Sequence, residues 1–122
     1  MKTSIYVLLA MVLFIVACHR ERTLNFIPGI YVNHAKGAYS QVDDTLVVRL
    51  LDGNNYEILR RTGFNRVVDG KQGKREYETE VWSGVYDSEK GLINESRYGK
   101  LLSFFPDSGL LRVGSRTYNK IK

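Results

Sequence analysis

A single cysteine, Cys18, leaves the chain no partner with which to form an intrachain disulfide, so its stability must come from a hydrophobic core. There are two histidines, His19 and His34, and neither stands at zinc-ligand spacing from a cysteine or from the other. Gly-x-Ser-x-Gly does not occur, and Ser83 and Ser103 have no histidine at a suggestive position, which speaks against a serine hydrolase. Beyond residue 28 almost no helical period is found. No apolar run reaches the roughly 20 residues that a membrane-spanning helix needs.

The longest apolar run is Ile5 to Ala17, behind the charge of Lys2. A basic start, a short apolar centre and a small residue before a cut are the three parts of a secretory signal peptide. The run ends in Ile15-Val16-Ala17-Cys18. This tetrad resembles the lipobox of bacterial lipoproteins without departure. The resemblance implies cleavage before Cys18, diacylglycerol on its sulfur and an acylated new N-terminus, which would also remove the one thiol nucleophile. Each buried lipid methylene is worth about 0.8 kcal/mol, so two or more chains hold a small domain on a bilayer. The expected organisation is a signal peptide at 1–17, a lipidated tether at 18–28 and one domain at 29–122. His19-Arg20 is not the Asp that commonly retains lipoproteins at an inner membrane. The expected location is the outer membrane, facing the periplasm.

From Pro28-Gly29 on, turn signals recur about every ten residues. Asp52-Gly53-Asn54-Asn55 and Asp69 to Gly73 are hairpin signals, and Pro106 to Gly109 is a further turn. Between them lie β-branched and aromatic runs, among them Thr45–Leu51, Tyr56–Arg61, Leu92–Tyr98 and Leu101–Phe105. Thr62-Gly63 reads as a bend, and Asp43-Asp44 as a turn cap ahead of Thr45. Glu76 to Val81 alternates cleanly, with three glutamates on one face and Tyr77, Thr79 and Val81 on the other. Trp82 follows Val81 directly, so a bulge at Trp82-Ser83-Gly84 is expected to bring both to the core. The fold class expected is all-β: a small antiparallel meander, closed or partly open, forming a barrel of about eight strands.

Gly29-x-Tyr31 after an N-terminal arm resembles the Gly-x-Trp start of lipocalin-like barrels. That implies an architecture rather than a ligand, since the Trp is a Tyr here and the loops are short. Pro28-Gly-x-Tyr31, Tyr39-Ser40, Asp44-Thr-Leu46, Tyr56-x-Ile58-x-Arg60, Asp69-Gly-Lys71 and Tyr118-x-Lys-Ile121 together resemble small lipoproteins of Bacteroidota. That resemblance brings no activity with it.

With Lys2 set aside, 17 basic residues stand against 13 acidic ones, a net charge of +4. This mild excess permits attraction to anionic partners, and nucleic-acid binding is not expected. Arg60, Arg61, Arg66, Lys71, Lys74 and Arg75 crowd into two neighbouring hairpins. They form either a patch for an anionic partner or the counter-charge of the Glu76–Glu80 ladder. Asp43 and Asp44, as neighbours on a strand, point to opposite faces and would not converge on a cation or act as an acid–base pair. No catalytic residue, metal or cofactor is expected. The function expected is a lipid-anchored, non-enzymatic binding or assembly module for another envelope component. Its partners would be the membrane, through Cys18, and an envelope protein or anionic envelope component. The alternative is an inhibitor of an envelope-attacking enzyme such as a lysozyme, acting through the Asp43-Asp44 or the Asp87–Gly91 loop.

Overall fold

The computed structural model describes the backbone of residues 2–36 and 40–122, with side chains for all of these but 2, 14–20, 35, 36, 40 and 41. A helix, α1 (Lys2–Phe26), precedes eight strands: β1 (Gly29–Lys36), β2 (Ser40–Asp52), β3 (Asn55–Val68), β4 (Lys71–Asp87), β5 (Leu92–Glu95), β6 (Leu101–Phe105), β7 (Leu110–Val113) and β8 (Arg116–Lys120). Each strand pairs antiparallel with the next, and β8 returns to β1 through Tyr31↔Lys120 and Val32↔Asn119. The all-β meander is thus a closed barrel of eight strands. The side chains of the lipobox-like tetrad Ile15–Cys18, and Tyr39, lie outside what is described. Among the described residues no helix is long and apolar enough to cross a membrane.

Side chains alternate in and out along every strand, and the inward set makes one core. Leu46, Val48, Tyr56, Ile58, Trp82, Tyr86, Ile93, Leu102, Phe104, Leu111 and Tyr118 are all buried. An eight-stranded barrel is narrow enough for its own side chains to fill it, so the interior is a packed core rather than a ligand cup. The floor is closed by Phe26 and Ile27, which sequence alone assigns to the tether. Ile27 is fully buried, and the Phe26 ring meets those of Tyr31 and Phe104 edge-on. The Phe26 carbonyl, at the very end of α1, has no helical N–H ahead of it to accept from. The Tyr31 hydroxyl donates to the carbonyls of Phe26 and Ile27, both at 2.9 Å, and Lys120 Nζ donates to that of Phe26 at 2.5 Å. A lysine on β8 thereby supplies the cation that favours a helix C-terminus.

No bulge occurs at Trp82–Gly84. The β3–β4 register runs unbroken there, with Ile58↔Trp82, Glu57↔Ser83 and Tyr56↔Gly84. Trp82 shares its face with Glu80 and points inward, while Val81 is turned out and 58% exposed. The conflict is resolved by surrendering Val81 to the surface. Gly84 lies on the inner face because there is no room for more: a Cβ would stand 2.4 Å from Ile93 Cγ2.

Two further departures lengthen the strands. Thr62-Gly63 does not bend, and Asp43-Asp44 caps no turn, for β3 and β2 pass straight through them. β5, in turn, stops at Glu95, short of Tyr98. Strands β1–β4 are therefore long and β5–β8 short. At the end away from α1, the long strands rise as a four-stranded wall above the turns that join β5 to β6 and β7 to β8.

Candidate functional site

The open end of the barrel is organised by Asp44. Its place on β2 puts it on the inner face with Leu46 and Val48, and its side chain is only 1% exposed. A buried carboxylate must be fully hydrogen-bonded to stay charged. Asp44 is: Oδ1 accepts from Arg60 Nε at 3.0 Å and Thr62 Oγ1 at 3.1 Å. Oδ2 accepts from Arg60 Nη2 at 2.9 Å, Arg116 Nη1 at 3.0 Å and Tyr118 OH at 2.8 Å. Burial, the largest single effect, would raise its pKa. The hydrogen bonds from Arg60 and Tyr118 and the Arg60 charge outweigh it and leave the pKa below the usual aspartate value. Burial, then the bond to Asp44 and its charge, push the Tyr118 phenol up to about 12. Hydrogen bonding to Asp44 raises Arg60.

Above this node lies a cleft of about 540 Å³, lined by Arg60, Trp82, Lys100, Arg116 and Tyr118 with parts of the two short turns. Trp82 forms its floor. The indole Nε1 donates to Glu80 at 3.1 Å, and Arg60 Nη1 lies 3.5 Å from the same carboxylate. Lys100 Nζ stands 4.3 Å above the indole ring, a cation–π contact. Lys100 is aimed by its turn: the buried Glu95 accepts from the backbone N–H groups of Arg97 (2.7 Å), Tyr98 (2.7 Å) and Lys100 (3.4 Å). Burial would raise the Glu95 pKa, but these backbone bonds and the Lys100 charge bring it below the ordinary value. Across the cleft Arg116 spends Nη1 on Asp44 while its side chain stays 56% exposed. Three cations thus meet three carboxylates: Arg60 engages Asp44 and Glu80, Arg116 also bonds Asp44, and Lys100 sits on the turn built on Glu95. Lys100 and the exposed part of Arg116 stand on the rim.

The six residues Arg60, Arg61, Arg66, Lys71, Lys74 and Arg75 are not brought onto one face. Arg60 is inside the barrel. Arg66 shares that inner face and pairs with Glu76 at 3.2 Å. Arg61 and Arg75 lie on the outer face on either side of Tyr77, 4.1 and 5.9 Å from its ring centre. Lys71 and Lys74 sit exposed at the tip of the β3–β4 hairpin. The pairing with the glutamate ladder is seen at Arg60 and Arg66, and Arg75 goes instead to Asp43. The two aspartates do point to opposite faces. Asp43 is on the outside, where His34 Nδ1 meets it at 2.7 Å. The hydrogen bond with His34, against a smaller desolvation effect, and the Arg75 charge lower the Asp43 pKa.

Lys100, Arg116 and the Asp44 node were missed in the sequence. The Asp44 signal was present: it sits two and four residues before Leu46 and Val48, at an inward position. Lys100 and Arg116 carry no such mark, because only closure of the barrel brings their turns together. The second cleft, about 530 Å³, lies at the opposite end between Thr23 of α1 and the turns at 88–91 and 106–108. Asp87 Oδ1 ties the first of these turns by accepting from the N–H groups of Glu89 and Lys90. Among the described residues no group of three His, Cys, Asp or Glu could hold a metal ion. No family model matches the chain, and neither a curated protein nor a solved structure is significantly similar to it.

Proposed function

We propose that this protein is a lipid-anchored binding module of a bacterial envelope, and that it grips an acidic group of an envelope component at the mouth of its barrel. The observation that carries the binding reading is the pairing of Lys100 and Arg116 across the Trp82 floor. Both are held by buried carboxylates, Lys100 through the turn built on Glu95 and Arg116 directly by Asp44. Cations fixed in advance lose little side-chain freedom when they bind, which favours a carboxylate or phosphate over bulk anions. The anchor rests on the lipobox resemblance at Ile15–Cys18, and the outer-membrane, periplasm-facing address on that resemblance and on His19-Arg20. The role proposed is binding or assembly rather than catalysis, because the mouth carboxylates Asp44, Glu80 and Glu95 are spent on hydrogen bonds with their neighbours.

The test is capture from detergent-solubilised envelopes, comparing the wild-type chain with Lys100→Glu/Arg116→Glu. A stoichiometric envelope component held by the wild type and lost from the double variant is the expected result. Equal capture by both removes the mouth from the reading. Capture of a secreted hydrolase instead would favour the inhibitor alternative. That alternative now rests on the Asp87–Gly91 turn, since Asp43-Asp44 is mid-strand.

A further inference from the structure

Closing the barrel leaves one long strand edge open. β4 runs from Lys71 to Asp87, yet β5 pairs with it only from Gly84 to Asp87. Among the described residues no strand pairs with the outer side of β4 between Glu76 and Val81, a stretch of about 20 Å. The β3–β4 register is unbroken over that stretch, and the irregularity begins only beyond Arg75.

The direction of the backbone groups follows from two hydrogen bonds. The Ser83 carbonyl accepts from Ser96 N, on the β5 side, and Tyr86 N donates to Asn54, on the β3 side. Alternation then turns the N–H and C=O groups of Val81, Thr79 and Tyr77 toward the open edge. The side chains divide the other way. Glu76, Glu78 and Glu80 line the inner face toward the mouth, and Tyr77 and Val81, both more than half exposed, line the outer face beside Thr79. Glu76 and Glu80 each have an arginine of β3 on one side, with the edge on the other.

We infer that the β4 edge is a strand-addition site for an extended segment of another protein, in which basic residues alternate with apolar or aromatic ones. The added strand runs antiparallel to β4 and continues the line of β5 from the point where β5 turns away at Ser96. Main-chain hydrogen bonds supply the attachment. Its inward side chains lie opposite Glu76, Glu78 and Glu80 and are basic by charge complementarity, while its outward ones pack on Tyr77 and Val81. The same glutamates disfavour pairing with a second copy about Tyr77, which would set Glu76 against Glu78. The edge shares Glu80 with the mouth through Arg60, but its main-chain groups and Glu78 do not involve Lys100 or Arg116.

The probe is a fluorescent peptide, Lys-Val-Lys-Tyr-Lys-Val-Lys, titrated by anisotropy against the full chain in mild detergent. Two controls are a glutamate-for-lysine version and a version N-methylated at alternate residues on either pairing face. Binding of the first peptide, and binding at least about tenfold weaker for both controls, is expected. On the protein, Thr79→Pro removes an N–H that faces the edge and not the β3 ladder, so the fold tolerates it. It and Glu78→Lys each weaken the peptide by about tenfold, with the β spectrum unchanged. Lys100→Glu leaves it unaltered. Equal binding of the N-methylated peptides, or no effect of Thr79→Pro, reduces the site to charge attraction and overturns the proposal. So does absence of peptide binding, or concentration-dependent self-association that Thr79→Pro abolishes.

Discussion

Asp44 on β2 and Tyr118 on β8 share a hydrogen bond of 2.8 Å across 74 residues of sequence. β1 lies between their strands, so the bond spans a strand on the inside of the barrel and ties its last element to its second. Arg116 adds a second link from β8 to the same carboxylate oxygen, at 3.0 Å. The end of the barrel that is not plugged by α1 is thus held by one polar node in place of hydrophobic packing.

Removing the charge at that node should be expensive. Asp44→Asn leaves Arg60 beside a neutral amide while it is largely buried, and loss of one partner of a buried pair costs about 3–5 kcal/mol. Guanidinium titration of the full chain in mild detergent should show the midpoint fall accordingly. Tyr118→Phe removes one bond to a charged acceptor and should cost about 1.5–3 kcal/mol. A double-mutant cycle of the two should be strongly non-additive, because both act on the same oxygen.

Asp44 and Tyr118 set opposite limits on the stability profile with pH. The Asp44 carboxyl is lowered on folding, so its contribution is present above the unfolded aspartate pKa of about 3.9 and is lost as pH falls through the lower folded value. The Tyr118 phenol is raised to about 12. Its contribution is complete below the unfolded value of about 10 and is lost as pH rises toward 12, some 2–3 kcal/mol in all. Burial also raises Tyr31 and Tyr56. Tyr118→Phe should therefore shrink the alkaline loss between pH 10 and 12 without abolishing it. An unchanged alkaline limb would show that Tyr118 ionises as freely folded as unfolded.

Trp82→Ala should cost about 3–5 kcal/mol, since the indole is 2% exposed and fills the barrel below the mouth. It should also release Lys100 from its ring contact. Denaturant midpoints report the first effect. The second would appear as weaker capture of the envelope component by a conservative variant, Trp82→Phe, that keeps the fold.

Gly84→Ala should destabilise by about 1–3 kcal/mol, because the new methyl would meet Ile93 Cγ2 at 2.4 Å and the Asn94 carbonyl oxygen at 3.0 Å. Thermal melting against the wild-type chain checks it.

Cys18→Ser should move the protein from the membrane to the soluble fraction or leave it uncleaved. Unchanged fractionation and unchanged mass would exclude lipid on that sulfur.

Several of these features could be read from residues alone, and the reason is local. Gly, Asn and Asp in the turns at 52–55 and 69–70 act through their own backbone preferences, so the hairpins were legible. The strand alternation at Glu76–Val81 was legible too, because period two is a property of the chain. Gly63 was misread for a physical reason. A glycine in a strand resembles a break, but here it makes room for a crossing pair: a Cβ would come within 2.7 Å of Arg75 Nη2 and 3.0 Å of Tyr77 Cε1. Val81 was misplaced because hydrophobicity alone cannot choose between adjacent residues. Room in the barrel, filled by the larger indole, made that choice and left Val81 outside.

The sequence by itself determined the apolar run at 5–17 with the single cysteine after it, the all-β class, the main turns and the opposed faces of Asp43 and Asp44. These follow from local conformational preference and side-chain period. Only the tertiary structure decided that the sheet closes, that Phe26 and Ile27 plug its floor, and that Asp44 gathers Arg60, Arg116 and Tyr118. It also decided that Lys100 and Arg116 face each other over Trp82, and that β4 keeps an open edge. Each depends on which strands meet and how far each extends past its neighbour, and those are fixed by packing between residues far apart in the chain.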